Sequence, residues 1–207
     1  MFKKERKEVA YFMRRLYKMG LTTTSGGNIS MLCDDHILIT PSTLDKGRLK
    51  AKDIAVLTTR GINLTPEIKP TSEKDMHVEI FRKNKHVQAI VHAHPVTASA
   101  FACTKNEIST DLMAEHYAIL GTPVRASYAT TGTKELAMTV SEACTKSKAV
   151  LMDNHGVLAT GKSLLQAFDR IELLENAAKL SLITRIIKDK NTIPDAELMV
   201  LAKLIET

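Results

Sequence analysis

The stretch Val87-Gln88-Ala89-Ile90-Val91-His92-Ala93-His94-Pro95 is an apolar run that ends in two imidazoles one residue apart and stops at a proline. In a strand, side chains at i and i+2 point to the same side, so His92 and His94 stand side by side. The alternation predicts one strand face built from Val87, Ala89, Val91 and Ala93, and another from Gln88, Ile90, His92 and His94. Two neighbouring imidazoles at a strand end have a metal-ligand geometry that lacks further ligands.

Working outward, the N-terminal side opens with a helix over Glu5 to Met19, in which Val9, Phe12, Met13, Leu16 and Met19 recur at helical spacing and Gly20 is the stop signal. The stretch LTTTSGGNIS leaves that helix and enters an extended run. HILITPST reads as a strand halted at Pro41, and DIAVLTTRGINLT as a strand, a turn at Arg60 and Gly61, and a short return. After Pro70 the pattern is helical through Met76, Ile80 and Phe81.

Beyond the histidines, Pro95 to Cys103 reads as a short helix and ELAMTVSEACTKS as a longer one. KAVLMDNHGVLATG reads as two strands bent around Asn154, His155 and Gly156. An amphipathic helix spans Ser163 to Lys188, and a last helix follows Pro194 with Asp195 as its cap. Strands in the middle and helices at both ends imply an α/β layered fold. With 207 residues and no linker-like segment, one domain over 1–207 is expected.

Composition narrows the function classes. The hydrophobic fraction of 44% and charged fraction of 25% are those of an ordinary globular chain. The net charge of +6 is spread over helices with acidic neighbours. It forms no basic stripe, so no nucleic acid partner is expected, and a phosphorylated small molecule accounts for the excess equally well. Three scattered cysteines without a CxxC pair fit neither a disulfide framework nor a thiolate zinc site. Neither a signal peptide nor an apolar run of membrane length is visible, so a cytoplasmic protein with no membrane partner is expected.

A catalytic zinc site takes three protein ligands and keeps one position open. His92 and His94 supply two, and His155, in a turn between two apolar strands, is the best third. A metal-bound histidine is fixed through its other ring nitrogen, here by Asn154 or a backbone carbonyl. His36, His77, His86 and His116 read as surface or satisfied core residues. On residue chemistry alone Glu73, in KPTSEKDMH, reads as part of a helix start, with Thr71 or Ser72 capping and the carboxylate complementing the dipole.

Four segments in order, TSGGNIS, PTSE, HAHP and DNHG, change that balance. Together they resemble the class II zinc-dependent sugar-phosphate aldolases of the L-fuculose-1-phosphate aldolase and ribulose-5-phosphate 4-epimerase type, over about Glu5 to Ala178. The resemblance implies a three-layer α/β domain with a central, mainly antiparallel sheet flanked by helices. It implies one zinc ion per subunit on His92, His94 and His155. Glu73 becomes the acid/base and a further candidate metal ligand. Gly27, Asn28, Thr43, Thr71 and Ser72 become the candidate phosphate site, whose amides and hydroxyls suit an anion. Thr43 departs from the family pattern, because TPST stands where many relatives carry a glycine, and threonine adopts positive φ only at a cost. Either the loop shifts or the pocket prefers a different phosphosugar.

The dipeptide His116-Tyr117 resembles the segment whose tyrosine protonates the aldehyde oxygen from a neighbouring subunit. That implies a homotetramer with active sites at subunit interfaces. The ending LAKLIET offers no tyrosine for the aromatic that such aldolases carry on the tail. The implied reaction is zinc-assisted cleavage of a ketose 1-phosphate to dihydroxyacetone phosphate and a small aldehyde such as lactaldehyde. Dehydration of methylthioribulose 1-phosphate, 4-epimerisation of a pentulose phosphate, and a non-catalytic metal-binding oligomeric module are the alternatives.

Overall fold

The computed structural model of the chain describes residues 1–204; the end of LAKLIET lies outside them. The core is a seven-stranded sheet of order β3-β2-β1-β4-β7-β6-β5. Its strands are β1 (Asn28–Cys33), β2 (His36–Ile39), β3 (Ala55–Thr58), β4 (Ala89–Ala93), β5 (Val124–Ala126), β6 (Ala149–Met152) and β7 (Gly156–Gly161). Every pairing is antiparallel except β5 with β6. The sheet is therefore mixed and mostly antiparallel, as expected.

Strict alternation along the strands feeds two cores. Ala89, Val91 and Ala93 of β4 join Leu38, Leu151, Val157 and Ala159 on one face. That face is covered by α1 (Lys3–Lys18), α3 (Val96–Ala102), α4 (Ala114–Leu120) and the long α6 (Leu164–Ile187). Ile90 turns the other way, with Ile37, Ile39, Val150 and Leu158, against α2 (Lys74–Lys83) and α5 (Lys134–Lys146). The result is three layers. A last helix, α7 (Asp195–Leu204), completes the described chain. Among the described residues no helix is long and apolar enough to cross a membrane.

Most elements lie where the apolar spacing places them, and Gly20 at φ +70 turns the chain out of α1. Three details differ. Val87 packs in the α2/α5 core rather than with Ala89, because β4 begins at Ala89 and Val87 belongs to the turn before it, its N–H on Asn84 O. Asp195 is the first residue of α7 and not its cap; the carbonyl of Pro194 takes the N–H groups of Glu197 and Leu198. The segment around Tyr117, unassigned from sequence, is α4, followed by the three-residue β5. Both are shorter than the window in which periodicity becomes readable.

The helix that follows the histidine strand is held from across the sheet face. Its first turn presents the N–H groups of Thr97 and Ala98 to the buried carboxylate of Glu175 on α6, at 3.2 and 2.8 Å. Helix N–H groups without a local cap need such an acceptor. Glu175→Ala is expected to lower stability by about 1–2 kcal/mol, read as a lower urea midpoint with an unchanged slope.

Candidate metal centre and active site

The register of β1 on β4 sets Asn28 opposite His92 and Ser30 opposite Ile90, all on the face covered by α2. His92 is fully buried on β4, His94 sits just past its end, and His155 lies in the turn from β6 to β7. One ring nitrogen from each comes within 4.8 Å of the others, and the ring centroids are 4.7, 4.8 and 5.8 Å apart. The two distant segments thus converge. His92 Nδ1 donates to the carbonyl of Val157 at 2.9 Å, which turns its Nε2 towards the other two rings. That nitrogen faces His94 Nε2 at 3.1 Å. Burial pushes the His94 imidazole down to about 3, so at neutral pH the ring is uncharged.

Glu73 occupies the cap position of α2 but makes no capping bond with its side chain. Its buried carboxylate turns inward, with Oε1 3.2 Å from His155 Nε2 and Oε2 3.4 Å from His92 Nε2. Burial favours the neutral acid, yet His92, His155 and the Asn28 hydrogen bond outweigh it and hold the carboxyl below its usual range. The helix-start reading therefore holds for the backbone of Glu73, whose N–H meets Thr71 Oγ1, but not for its carboxylate, which faces the histidines. Three imidazole nitrogens beside an ionised carboxylate suit a divalent cation of borderline softness.

A family model described as the Class II Aldolase and Adducin N-terminal domain matches residues 7–182. The chain belongs to this class II aldolase family. It is 35% identical over 211 residues to a 5-deoxy-D-ribulose 1-phosphate aldolase of Bacillus thuringiensis serovar kurstaki, covering 100% of this chain and 97% of that protein. It is 34% identical over 172 residues to a 3-oxo-tetronate 4-phosphate decarboxylase of Haemophilus influenzae, covering 81% of each. A solved L-fuculose 1-phosphate aldolase superposes with a TM-score of 0.90 at 32% identity, covering 98% of this chain and 96% of that one.

The glycines of this class II aldolase chain have a specific task. A Cβ on Gly26 would lie 2.9 Å from His94 Nδ1, and one on Gly156 would lie 2.5 Å from His94 Cδ2 and 2.7 Å from the Ala93 carbonyl. The His94 ring is slotted between two backbones. Gly27, at φ +64, backs onto the His92 carbonyl, which a Cβ would approach to 2.8 Å. In TSGGNIS the close approach is thus to the histidine segment itself.

The candidate phosphate residues divide into two groups. Asn28 Nδ2 donates to Glu73 Oε2 at 2.8 Å and to Thr71 Oγ1 at 3.2 Å, so both side chains are buried against the carboxylate. Ser72 and Thr43 are exposed on adjoining segments, joined by Thr71 N–H on Thr40 O and Ser42 N–H on Lys69 O. Thr43 itself takes φ +61, so the loop keeps the left-handed turn and bears a strain of about 1–2 kcal/mol. The ammonium of buried Lys46 on the Pro41 carbonyl holds that turn.

Other expectations need adjustment. Asn154 does not orient His155: it is exposed, at φ +53, and shapes the turn, while His155 Nδ1 is buried with no partner among the described residues. The turn is anchored instead by Arg125 on Asp153 at 2.8 Å. Tyr117 is not brought to the histidines of its own chain. It lines a cavity with Thr145 to Lys148, before β6, whereas His155 follows β6. Sequence reasoning also passed over His77, which is fully buried and bonded to Ser30 and Asn28. Its spacing from Glu73, one helical turn along α2, was the available signal.

Gly156→Ala is expected to displace the His94 ring and weaken zinc binding by about 10- to 100-fold, measured by chelator competition with the fold monitored by circular dichroism. Burial also pushes His77 down to about 3 from an ordinary 6.5. Between those values the unfolded chain binds the extra proton, so stability rises with pH and is lost on acidification. Moving from pH 7 to pH 5 is expected to remove roughly 2 kcal/mol through this group, and urea titrations of His77→Gln should lack that part of the slope.

Proposed function

We propose that this protein is a zinc-dependent, cytoplasmic aldolase that reversibly cleaves a deoxyketose 1-phosphate, L-fuculose 1-phosphate or a related sugar, to dihydroxyacetone phosphate and a short aldehyde such as lactaldehyde. The observation that carries the reading is the convergence of His92, His94 and His155 on the buried carboxylate of Glu73. The names of the aldolase relatives support the substrate class.

One zinc ion per subunit, held by the three histidines, supplies a Lewis acid for the negative charge that develops on the substrate carbonyl oxygen. The remaining tasks fall to the chain. Exposed Ser72 and Thr43, with the backbone of Gly27, receive the phosphate, while Asn28 and Thr71 hold Glu73 in place beside it. When the C3–C4 bond breaks, its electron pair stays with C3, which must take up a proton as the C4 hydroxyl loses one. In cleavage the Glu73 carboxylate takes up the proton that the C4 hydroxyl releases and then delivers it to C3, and in aldol addition its ionised form removes the C3 proton. Tyr117 serves the oxygen at C4 from a neighbouring subunit. Its place at the opposite end of β6 from its own chain's histidines supports that arrangement and a homotetramer.

A second reading is decarboxylation of a 3-oxo acid phosphate, favoured by the similarity to the decarboxylase of Haemophilus influenzae. The bond broken also lies next to a ketone, so the same charge needs the same stabilisation.

The test is a panel of ketose 1-phosphates and 3-oxo acid phosphates, with and without zinc, scored by product mass. Dihydroxyacetone phosphate is expected from a deoxyketose 1-phosphate. Carbon dioxide marks the decarboxylase, loss of water a dehydratase, an isomer of unchanged mass an epimerase, and no product a non-catalytic module. His94→Ala or chelation should abolish cleavage. Glu73→Gln should lose at least about 100-fold in kcat while retaining zinc and phosphate binding, and full activity of the metal-free protein would overturn the proposal.

A further inference from the structure

Behind Glu73 lies a row of buried polar groups that never reaches the metal position. Ser30 Oγ is 2.6 Å from His77 Nδ1, His77 Nε2 is 2.5 Å from Asn28 Oδ1, and Asn28 Nδ2 is 2.8 Å from Glu73 Oε2. Ser30 and Asn28 are alternate residues of β1, and His77 faces them from α2, four residues after Glu73. We propose that His77 is a positioning residue for Glu73: acting through Asn28 Oδ1, it anchors the far end of the amide whose NH2 holds the carboxylate. The role of Glu73 that this serves rests on the proposed aldolase reading.

The chemistry of the four groups allows one direction of donation. A carboxylate only accepts, so Asn28 presents its NH2 to Glu73 and its carbonyl to His77. That carbonyl also only accepts, so the proton of His77 sits on Nε2. In a neutral ring Nδ1 then accepts, and the Ser30 hydroxyl donates to it. Ser30, His77 and Asn28 thus form a donor series ending on Glu73 Oε2, each bond polarising the next in a buried setting. Thr71 Oγ1 takes the second amide hydrogen of Asn28 and also the N–H of Glu73, so both the head and the backbone of the glutamate are held. Reversing the amide would set a carbonyl against a carboxylate and an NH2 against a ring N–H.

Without the ring, Asn28 Oδ1 loses its donor from α2, and the amide is held only at its NH2 end by Glu73 and Thr71. An amide held at one end pivots, and Glu73 loses its fixed angle to the C3 position. The metal ligands are untouched, because His92 has its own partner in the Val157 carbonyl.

The experiment combines nitrogen NMR of the metal-free protein with kinetics and zinc titration of His77→Leu, His77→Gln and Ser30→Ala. In the native protein His77 is expected as the neutral Nε2–H tautomer, with a ring proton protected from exchange and an Asn28 amide pair that shifts in His77→Leu. An Nδ1–H tautomer, or an unmoved Asn28 amide, overturns the proposal, and neither reading depends on turnover. In the assay, His77→Leu should lose about 10- to 100-fold in kcat with KM and zinc affinity within about threefold. His77→Gln, whose amide nitrogen can donate to Asn28 Oδ1, should recover to within about fivefold of native. Equal losses in the two variants, or a loss carried by KM or zinc affinity, argue for a merely structural residue. Should His77→Leu not fold, Ser30→Ala tests the same row: a mixture of His77 tautomers supports it, and an unchanged single tautomer overturns it. If the native protein cleaves none of the sugars, the aldolase reading fails, and the NMR outcome still decides whether His77 sets Asn28.

Discussion

Glu73 and the imidazoles of His92 and His155 share one buried space, and the electrostatics of that space explains why the surrounding elements are arranged as they are. A lone carboxylate removed from water would take up a proton, and a lone imidazole would stay neutral and contribute little. Set within 3.2 to 3.4 Å of each other, with the amide of Asn28 added, they keep the carboxyl ionised against its desolvation. The nitrogens of His92, His94 and His155, gathered within 4.8 Å, form a candidate cation site. Stability and chemistry therefore make the same demand on the fold: three chain segments must meet within a few ångströms.

The three-layer architecture meets that demand through ordinary means. Antiparallel pairing of β1 with β4 puts Asn28 beside His92, and β7 beside β4 brings the DNHG turn alongside. Helix α2 starts beside the central strands β1 and β4 and delivers Glu73 from its cap position. Glycines let the backbones close on the His94 ring from both sides. The strain of Thr43 is accepted in a loop whose neighbours already hold it, by Lys46 and by the pairing of Pro41 with Pro70.

Much of this was legible from local pattern. The alternation in VQAIVHAHP gives the strand and the shared side of its histidines. The helical spacing in α1 and α6 gives the outer layers. The pair of strands around DNHG is marked by apolar runs on either side of a turn. What stayed illegible was short or non-local. Helix α4 and strand β5 are too brief for a period to repeat. His77 looked like any helix-face histidine, since its partners Ser30 and Asn28 are more than forty residues away in sequence. The division of the phosphate segment, with Asn28 and Thr71 facing inward and Ser72 and Thr43 outward, follows from side-chain direction, which no motif records.

By itself the sequence determined the residue types of the site, the element that carries each, and the turns that glycine and proline impose, because these depend on neighbours within a few positions. Only the tertiary structure decided which nitrogen of each ring is free, that Glu73 leaves its helix to face the histidines, and that Tyr117 lies away from them. Those outcomes depend on contacts between residues 19 to 82 positions apart, whose geometry comes from sheet register and layer packing and not from local preference.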